Sequence, residues 1–393
     1  MAETIDSDGH PLAFKVSQGT SMSPLLSGLD GQDIVQVDAR LLHHHQKDAV
    51  VREGASGSAW RLPSDEGAHL KGSDLAPFPL GFFNAGLHAD LLQRIHEIAT
   101  DRAINCSGLA IRLSNHYWFT GSFVLGTGSG HAEPARIHVS LASQSTTQEV
   151  LALVNDALAR SPAIDLLRRP LENTFALYIN GRRRSVVQMP ASGAKEAQDP
   201  FLVYRSAPQP LEANPARDLI SKTNRRETGA TVQAPLGTAG RVLINVQGES
   251  MLATDGAQAS IENWLEFPSA THFGFRADVS GGDSAPSGLA LLSAGIAFCF
   301  MTQLSRYVEH MKLAVNGIRL VQSSPYEVRQ GQGRALPVDT HLFLNGQAPE
   351  EVQEKLIRIA AHTCYLHATA AAALAPVIEI THNGKKISLP RES

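Results

Sequence analysis

Two of the three cysteines in this chain, Cys299 and Cys364, stand where thiols could work as a pair. A thiol is a useful nucleophile only as the thiolate. Once it has taken an oxygen atom and become a sulfenic acid, a second thiol is needed to trap it before it oxidises further. Cys299 lies within residues 283–304, DSAPSGLALLSAGIAFCFMTQL, and Cys364 lies 65 residues later in KLIRIAAHTCYLHATAAAAL. His367, three residues after Cys364, shares its helix face and could act as an acid or tune the thiol, although a histidine without a chemical role is the simpler reading. Cys106 has no partner in sequence and reads as structural. His43, His44 and His45 cannot all point to one side of a strand, so no metal is expected there.

The elements that must hold these groups follow from the pattern around them. Asp283 and Pro286 signal a helix start, and no proline interrupts the next turns, which predicts a helix of about 24 residues. Leu289, Leu292, Ile296, Cys299 and Gln303 recur at steps of three and four, so the thiol shares a face with large aliphatic groups and should be largely dry. Leu289, Leu292, Ile296, Phe298 and Phe300 are the expected lining for a small hydrophobic substrate. Burial raises the pKa of a thiol, so a cationic neighbour is required.

A chain of 393 residues exceeds the size at which one core normally keeps growing. Its own repetition makes two units concrete. Asp74, Ala76, Pro77, Leu80, Ala85 and Gly86 match Asp283, Ala285, Pro286, Leu289, Ala294 and Gly295 at a constant offset of 209 residues. Further on, AIRL at 110–113 matches GIRL at 317–320, and Asn180-Gly181 matches Asn383-Gly384 at closing hairpins. Asp90 then stands opposite Cys299, and Ser161 opposite Cys364. Short strands are expected at 12–16, 33–37 and 60–62, two strands split near Asn115, and one long helix from 349 to about 373. A proline-rich crossing at 191–215 would separate unit 1–190 from unit 216–393.

A formal charge of -4 argues against a nucleic-acid partner. The acidic start lacks an apolar stretch, so no signal peptide is expected. Residues 288–301 form the longest apolar run, too short to span a bilayer. Three cysteines give no secretory disulfide framework, which makes a reducing cytoplasm the expected address. Neither metal nor cofactor is called for.

Taken together, these motifs resemble the OsmC/Ohr family of thiol-dependent peroxidases. Asp283-Ser284-Ala285-Pro286, Ala294-Gly295 and Cys299 resemble the family's first motif, and His362-Thr363-Cys364-Tyr365 stands where the second would be. The resemblance implies an α+β fold of two fused OsmC-like units, each an antiparallel sheet packed with two main helices, arranged as a pseudo-dimer. It also implies reduction of organic hydroperoxides through a Cys299 sulfenic acid resolved by Cys364, with an external dithiol as reductant and further assembly of fused pairs left open. An arginine would activate Cys299, and Arg276, Arg241, Arg225 and Arg226 lie in the matching region. There are departures. The family's glutamate on the opening turn is replaced by Leu289 or Ser287, and Tyr365 stands where a proline is common. The alternatives are the same scaffold turned to hydrolysis or carbon-carbon cleavage of a small hydrophobic substrate, or a non-catalytic ligand-binding module.

Overall fold

The computed structural model describes residues 3–7, 9–17, 32–223, 236–237, 241–242, 244–253, 256–266 and 272–388. Its α-helices are α1 (Pro79–Asp101), α2 (Thr147–Arg160), α3 (Pro162–Arg168), α4 (Gly288–His310), α5 (Glu350–Thr363) and α6 (Tyr365–Ala371). The helix holding Cys299 is 23 residues long. It opens where the Ser287 hydroxyl accepts the Ala290 N–H at 3.1 Å, one residue beyond the predicted proline. Its partner α1 opens with Pro79 in the first turn, so that a ring lacking an N–H costs nothing there.

The two long helices cross antiparallel at two glycines related by the repeat. A methyl on Gly86 would lie 2.5 Å from the Leu292 nitrogen, and one on Gly295 2.7 Å from the Phe83 nitrogen. Bare backbones are what allow this approach, and the offset of 209 residues is a rotation that carries one helix onto the other. By length and composition α4 could cross a membrane, unlike the shorter run considered in the sequence, but the apolar window is wholly buried inside the protein.

Two large mixed sheets flank this pair, and each takes strands from both halves of the chain. The first runs Phe14–Lys15, Ala59–Ser64, Lys47–Glu53, Asp33–Leu41, Val315–Arg329, Asp339–Gly346, Thr174–Ile179, Arg182–Arg184, with Gln332–Ala335 on the side. The second repeats that order as Ile220–Thr223, His272–Asp278, Gln258–Leu265, Ile244–Leu252, Ser107–Thr120, Arg136–Ala142, Val377–His382, Lys385–Ile387, with Ser129–Ala132 on the side. Strand exchange therefore intertwines the halves, and α4 of the second half lies on the strands Asp33–Leu41 and Lys47–Glu53 of the first.

Three local expectations need correction. The strand expected to split near Asn115 is continuous over Ser107–Thr120, because Asn115 turns inward and its side-chain oxygen accepts Asn84 Nδ2 at 3.0 Å. Strand Lys47–Glu53, absent from the sequence reading, is buried throughout its length. The helix expected over 349–373 breaks at Cys364, whose backbone is extended at φ -73° and ψ 115°. Ser161 occupies the same break in the first half and caps α3 through Ile164 N at 3.0 Å. At the closing hairpins, Asn180 with Gly181 and Asn383 with Gly384 take the positive φ angles that such two-residue turns need.

The proline-rich stretch between the halves lies across the outer face of the first sheet. Asp199 holds Arg319 at 2.6 Å, and the Tyr204 hydroxyl donates to the Asp38 carbonyl at 2.8 Å. Arg183 donates to the Ala194 and Lys195 carbonyls and clamps this stretch.

Candidate active site

Cys299 and Cys364 arrive from different elements and meet. The helical break delivers Cys364 to the N-terminus of α6, completely buried, against Cys299 on the body of α4. Burial first, then hydrogen bonding to Cys299 and the charge of Cys299, push the Cys364 thiol well above its ordinary value, against weaker lowering by the His367 and Leu366 N–H groups. Cys364 therefore stays protonated, while Cys299 is the sulfur that faces open space. The two thiols are not interchangeable: one is reachable, the other stands behind it.

His367 does touch this pair, with Nδ1 3.3 Å from Cys364 Sγ. Burial lowers its pKa to about 4, so the ring is neutral near pH 7. Its other nitrogen has no hydrogen-bond partner, and the ring packs against Phe300 and Phe175. A neutral, aromatic-packed imidazole orients the second thiol without supplying positive charge.

The cation beside Cys299 comes from an unexpected place. Lys47, on a strand of the first half, is fully buried and donates from Nζ to Thr302 Oγ1 at 2.7 Å, one helical turn past Cys299. Thr302 in turn donates to Glu66 Oε1 at 2.6 Å, and Lys47 Nζ lies 3.5 Å from the same oxygen. Burial pulls the Lys47 pKa below its usual value, and the charges of Glu66, Asp65 and Cys299 oppose that pull. Of the expected arginines, Arg276 pairs with Asp218 at 3.5 Å. Arg225, Arg226 and the Arg241 side chain lie outside the described residues.

The signal for Lys47 was present in the alternation of KDAVVRE. Lys47, Ala49, Val51 and Glu53 share the inward face, so two charged groups flank two apolar ones. What the sequence hid was the strand exchange that brings this face to the other half's helix.

Cys299 opens into a cleft of about 100 Å³ lined also by Glu66, His69, Leu70, Phe78, Pro79, Leu80, Ile244, Leu265, Thr302, Gln303, Arg306 and Tyr365. None of the five residues expected to line it does so. Leu289, Leu292, Ile296, Phe298 and Phe300 are buried in the core. Leu292 packs at the Gly86 crossing, and Phe298 sits edge-on to Phe82 with ring centres 5.2 Å apart. The reason is position along the helix: on α4 the cleft takes positions 299, 302, 303 and 306, in the turns from the thiol onward, while the turns before it face α1 and the sheets.

The matching place in the first half is filled by a polar network. Asp90 accepts hydrogen bonds from Ser161 Oγ, from Ala163 N at 3.2 Å and from Arg94 Nη2 at 3.1 Å. Arg94 also reaches Glu97 at 3.2 Å. With oxygen atoms replacing both sulfurs and an arginine closing the network, this counterpart has no thiol chemistry.

A Ser–His–Asp set also occurs, at Ser192, His341 and Asp339. His341 Nε2 meets both Asp339 Oδ2 at 3.0 Å and Ser192 Oγ at 3.1 Å, and Nδ1 meets the Tyr178 hydroxyl at 3.2 Å. One nitrogen serves both partners, so the ring does not bridge acid and hydroxyl as a nucleophilic triad requires. All three residues are buried and fasten the crossing stretch to the sheet. His45 likewise turns inward to Ser305 Oγ at 2.8 Å, while His44 faces Glu309. Among the described residues no group of three or more His, Cys, Asp or Glu is placed to hold a metal ion.

Against known families, the model for OsmC-like protein matches residues 281–379. This segment is similar to OsmC-like proteins. The chain also aligns with the crystal structure of an OsmC-like hydroperoxide resistance protein from Jannaschia sp. CCS1, at 21% identity over 36% of this chain and 95% of that one, with a TM-score of 0.25. No curated protein matches the chain. The matched segment contains Cys299, Cys364 and His367, yet Lys47, Glu66, His69, Phe78 and Leu80 of the site lie outside it, in the first half. The α+β architecture, with two sheets that each take strands from both halves, is consistent with two OsmC-like units.

Proposed function

We propose that the protein reduces small organic hydroperoxides by thiol chemistry. The observation that carries this reading is the asymmetric sulfur pair: Cys299 open to a cleft and near the Lys47 ammonium, Cys364 buried behind it and held as a thiol. The Cys299 thiolate attacks the terminal oxygen of the substrate, the O–O bond breaks, and the alkoxide leaves as the alcohol after taking a proton. Cys299 is then a sulfenic acid. The Cys364 sulfur attacks it, water leaves, and a Cys299–Cys364 disulfide forms. An external dithiol exchanges with that disulfide, restoring both thiols and becoming oxidised itself. Such a cycle fits a reducing cytoplasm.

Size and lining favour the substrate class. A cleft of about 100 Å³ has room for a hydroperoxide group and an apolar body. Phe78, Pro79, Leu80, Ile244 and Leu265 suit carbon more than hydrogen peroxide. Treatment of the reduced protein with cumene hydroperoxide should lower the intact mass by two hydrogens, with turnover sustained by dithiothreitol. Turnover by Cys299→Ser equal to that of the parent would rule the proposal out.

A further inference from the structure

Tyr117 is a second buried group at this site with a function still to be assigned. It reaches the cysteines from strand Ser107–Thr120 of the first half, is 1% exposed, and sets its ring 5.6 Å from that of Tyr365, which lines the cleft. Its hydroxyl has no hydrogen-bond partner. A buried, unpaired O–H costs about 1–3 kcal/mol, so its retention calls for a reason.

The repeat supplies a built-in control. Tyr326 is the counterpart of Tyr117, and its hydroxyl is satisfied by Ser293 Oγ at 2.8 Å. Asn84 stands where Ser293 does, but turns its amide to Asn115 Oδ1 at 3.0 Å and leaves the Tyr117 hydroxyl alone. The paired phenol stands at the site with Asp90 and Ser161, the unpaired one at the site with two thiols. Burial above all, then the charges of Cys299 and Cys364, push the Tyr117 phenol well above its ordinary value, so it donates hydrogen bonds and does not ionise.

Resting on the peroxidase reading, we infer that Tyr117 is a catalytic residue whose O–H donates a hydrogen bond to the substrate oxygen that departs from Cys299 as the O–O bond breaks. The sulfur forms its bond to the terminal oxygen, the electron pair of the O–O bond goes to the leaving alkoxide, and Tyr117 stabilises that charge while keeping its own proton. Water entering through the cleft mouth completes the alcohol. The hydroxyl makes no hydrogen bond to either sulfur, and a substrate oxygen bound beside Cys299 would give it a partner.

The test compares the parent, Tyr117→Phe and Tyr326→Phe in cumene hydroperoxide turnover and in alkylation of Cys299 by iodoacetamide, which has no departing alkoxide. Tyr117→Phe should lose about 10²-fold in kcat/KM, the scale for one donor to a developing oxyanion. Its alkylation rate should stay within about twofold of the parent. Tyr326→Phe should match the parent in both. The same loss should appear in single-turnover oxidation of Cys299 in a Cys364→Ser background, which needs no resolving step. Equal turnover by the parent and Tyr117→Phe overturns the role of Tyr117 alone, as does a parallel loss of turnover and alkylation. A parent that consumes no hydroperoxide overturns the peroxidase reading as well.

Discussion

Lys47 Nζ stands 2.7 Å from Thr302 Oγ1 although the two residues are 255 positions apart in the chain. That contact joins a strand of the first half to the thiol-bearing helix of the second. It makes the candidate site a property of the fused pair, since the sulfurs come from the second half and the buried Lys47 and Glu66 from the first.

Removing that charge should separate reactivity from fold. Lys47→Met leaves Glu66 buried without its cation, and breaking a buried pair from one side costs about 3–5 kcal/mol. The double variant Lys47→Met with Glu66→Gln should recover much of this stability in urea unfolding. Alkylation of Cys299 at neutral pH should fall by about tenfold or more in both variants. Recovery of alkylation along with stability would show that Lys47 acts only as a strut.

Legibility in the sequence followed the kind of signal each feature leaves. The offset of 209 residues located the helix pair and its two crossing glycines, and the alignment of Cys364 with Ser161 survives as two equivalent helix breaks. Both are local patterns that repeat. The cleft is less legible, because periodicity gives a helix face but not where along it a cleft opens, so Leu289, Leu292 and Ile296 share the thiol's face and yet belong to the core. Lys47 was missed because strand exchange is a long-range event. Its strand, with Asp48, Arg52 and Glu53, also reads as a charged surface, whereas the structure buries those charges by pairing Asp48 with Arg61 and Arg52 with Asp38.

Glu53 gives a pH prediction with a definite sign. Burial first of all, opposed by hydrogen bonds from Ser287 and Trp60, raises its pKa to about 7. A carboxyl that binds its proton more tightly when folded contributes stability below its unfolded pKa, near 4.5. It loses that contribution as pH rises toward about 7. Glu53→Gln keeps an acceptor for Trp60 and cannot ionise. It should raise stability at pH 8 by up to about 3 kcal/mol relative to any change at pH 4.5. Urea unfolding at the two pH values measures this, and an equal change at both would contradict the assignment.

His88 and His367 act in the opposite sense. Burial lowers their pKa values to about 3 and about 4. Each binds its proton less well when folded, so its contribution is complete above the unfolded value of 6.5 and is lost as pH falls toward those lower values. Stability should therefore decline on acidification from pH 6.5 to 4, and His367→Gln should shallow that decline in thermal unfolding scans.

The glycine crossing is a packing prediction. A methyl at Gly295 would sit 2.7 Å from the Phe83 nitrogen and 3.0 Å from the Pro79 oxygen, both of them backbone atoms unable to swing aside. Gly295→Ala should lose about 1–3 kcal/mol even though alanine favours helix, and Gly86→Ala should behave alike. Denaturant midpoints would measure it.

Peptide mapping of the reduced protein after one equivalent of cumene hydroperoxide tests the central claim most directly. The account predicts a single new crosslinked pair joining the Cys299 and Cys364 peptides, with Cys106 still alkylatable and dithiothreitol restoring all three thiols. Cys299 and Cys364 both remaining free while the peroxide persists, or Cys299 carrying sulfinic acid with Cys364 untouched, would contradict it.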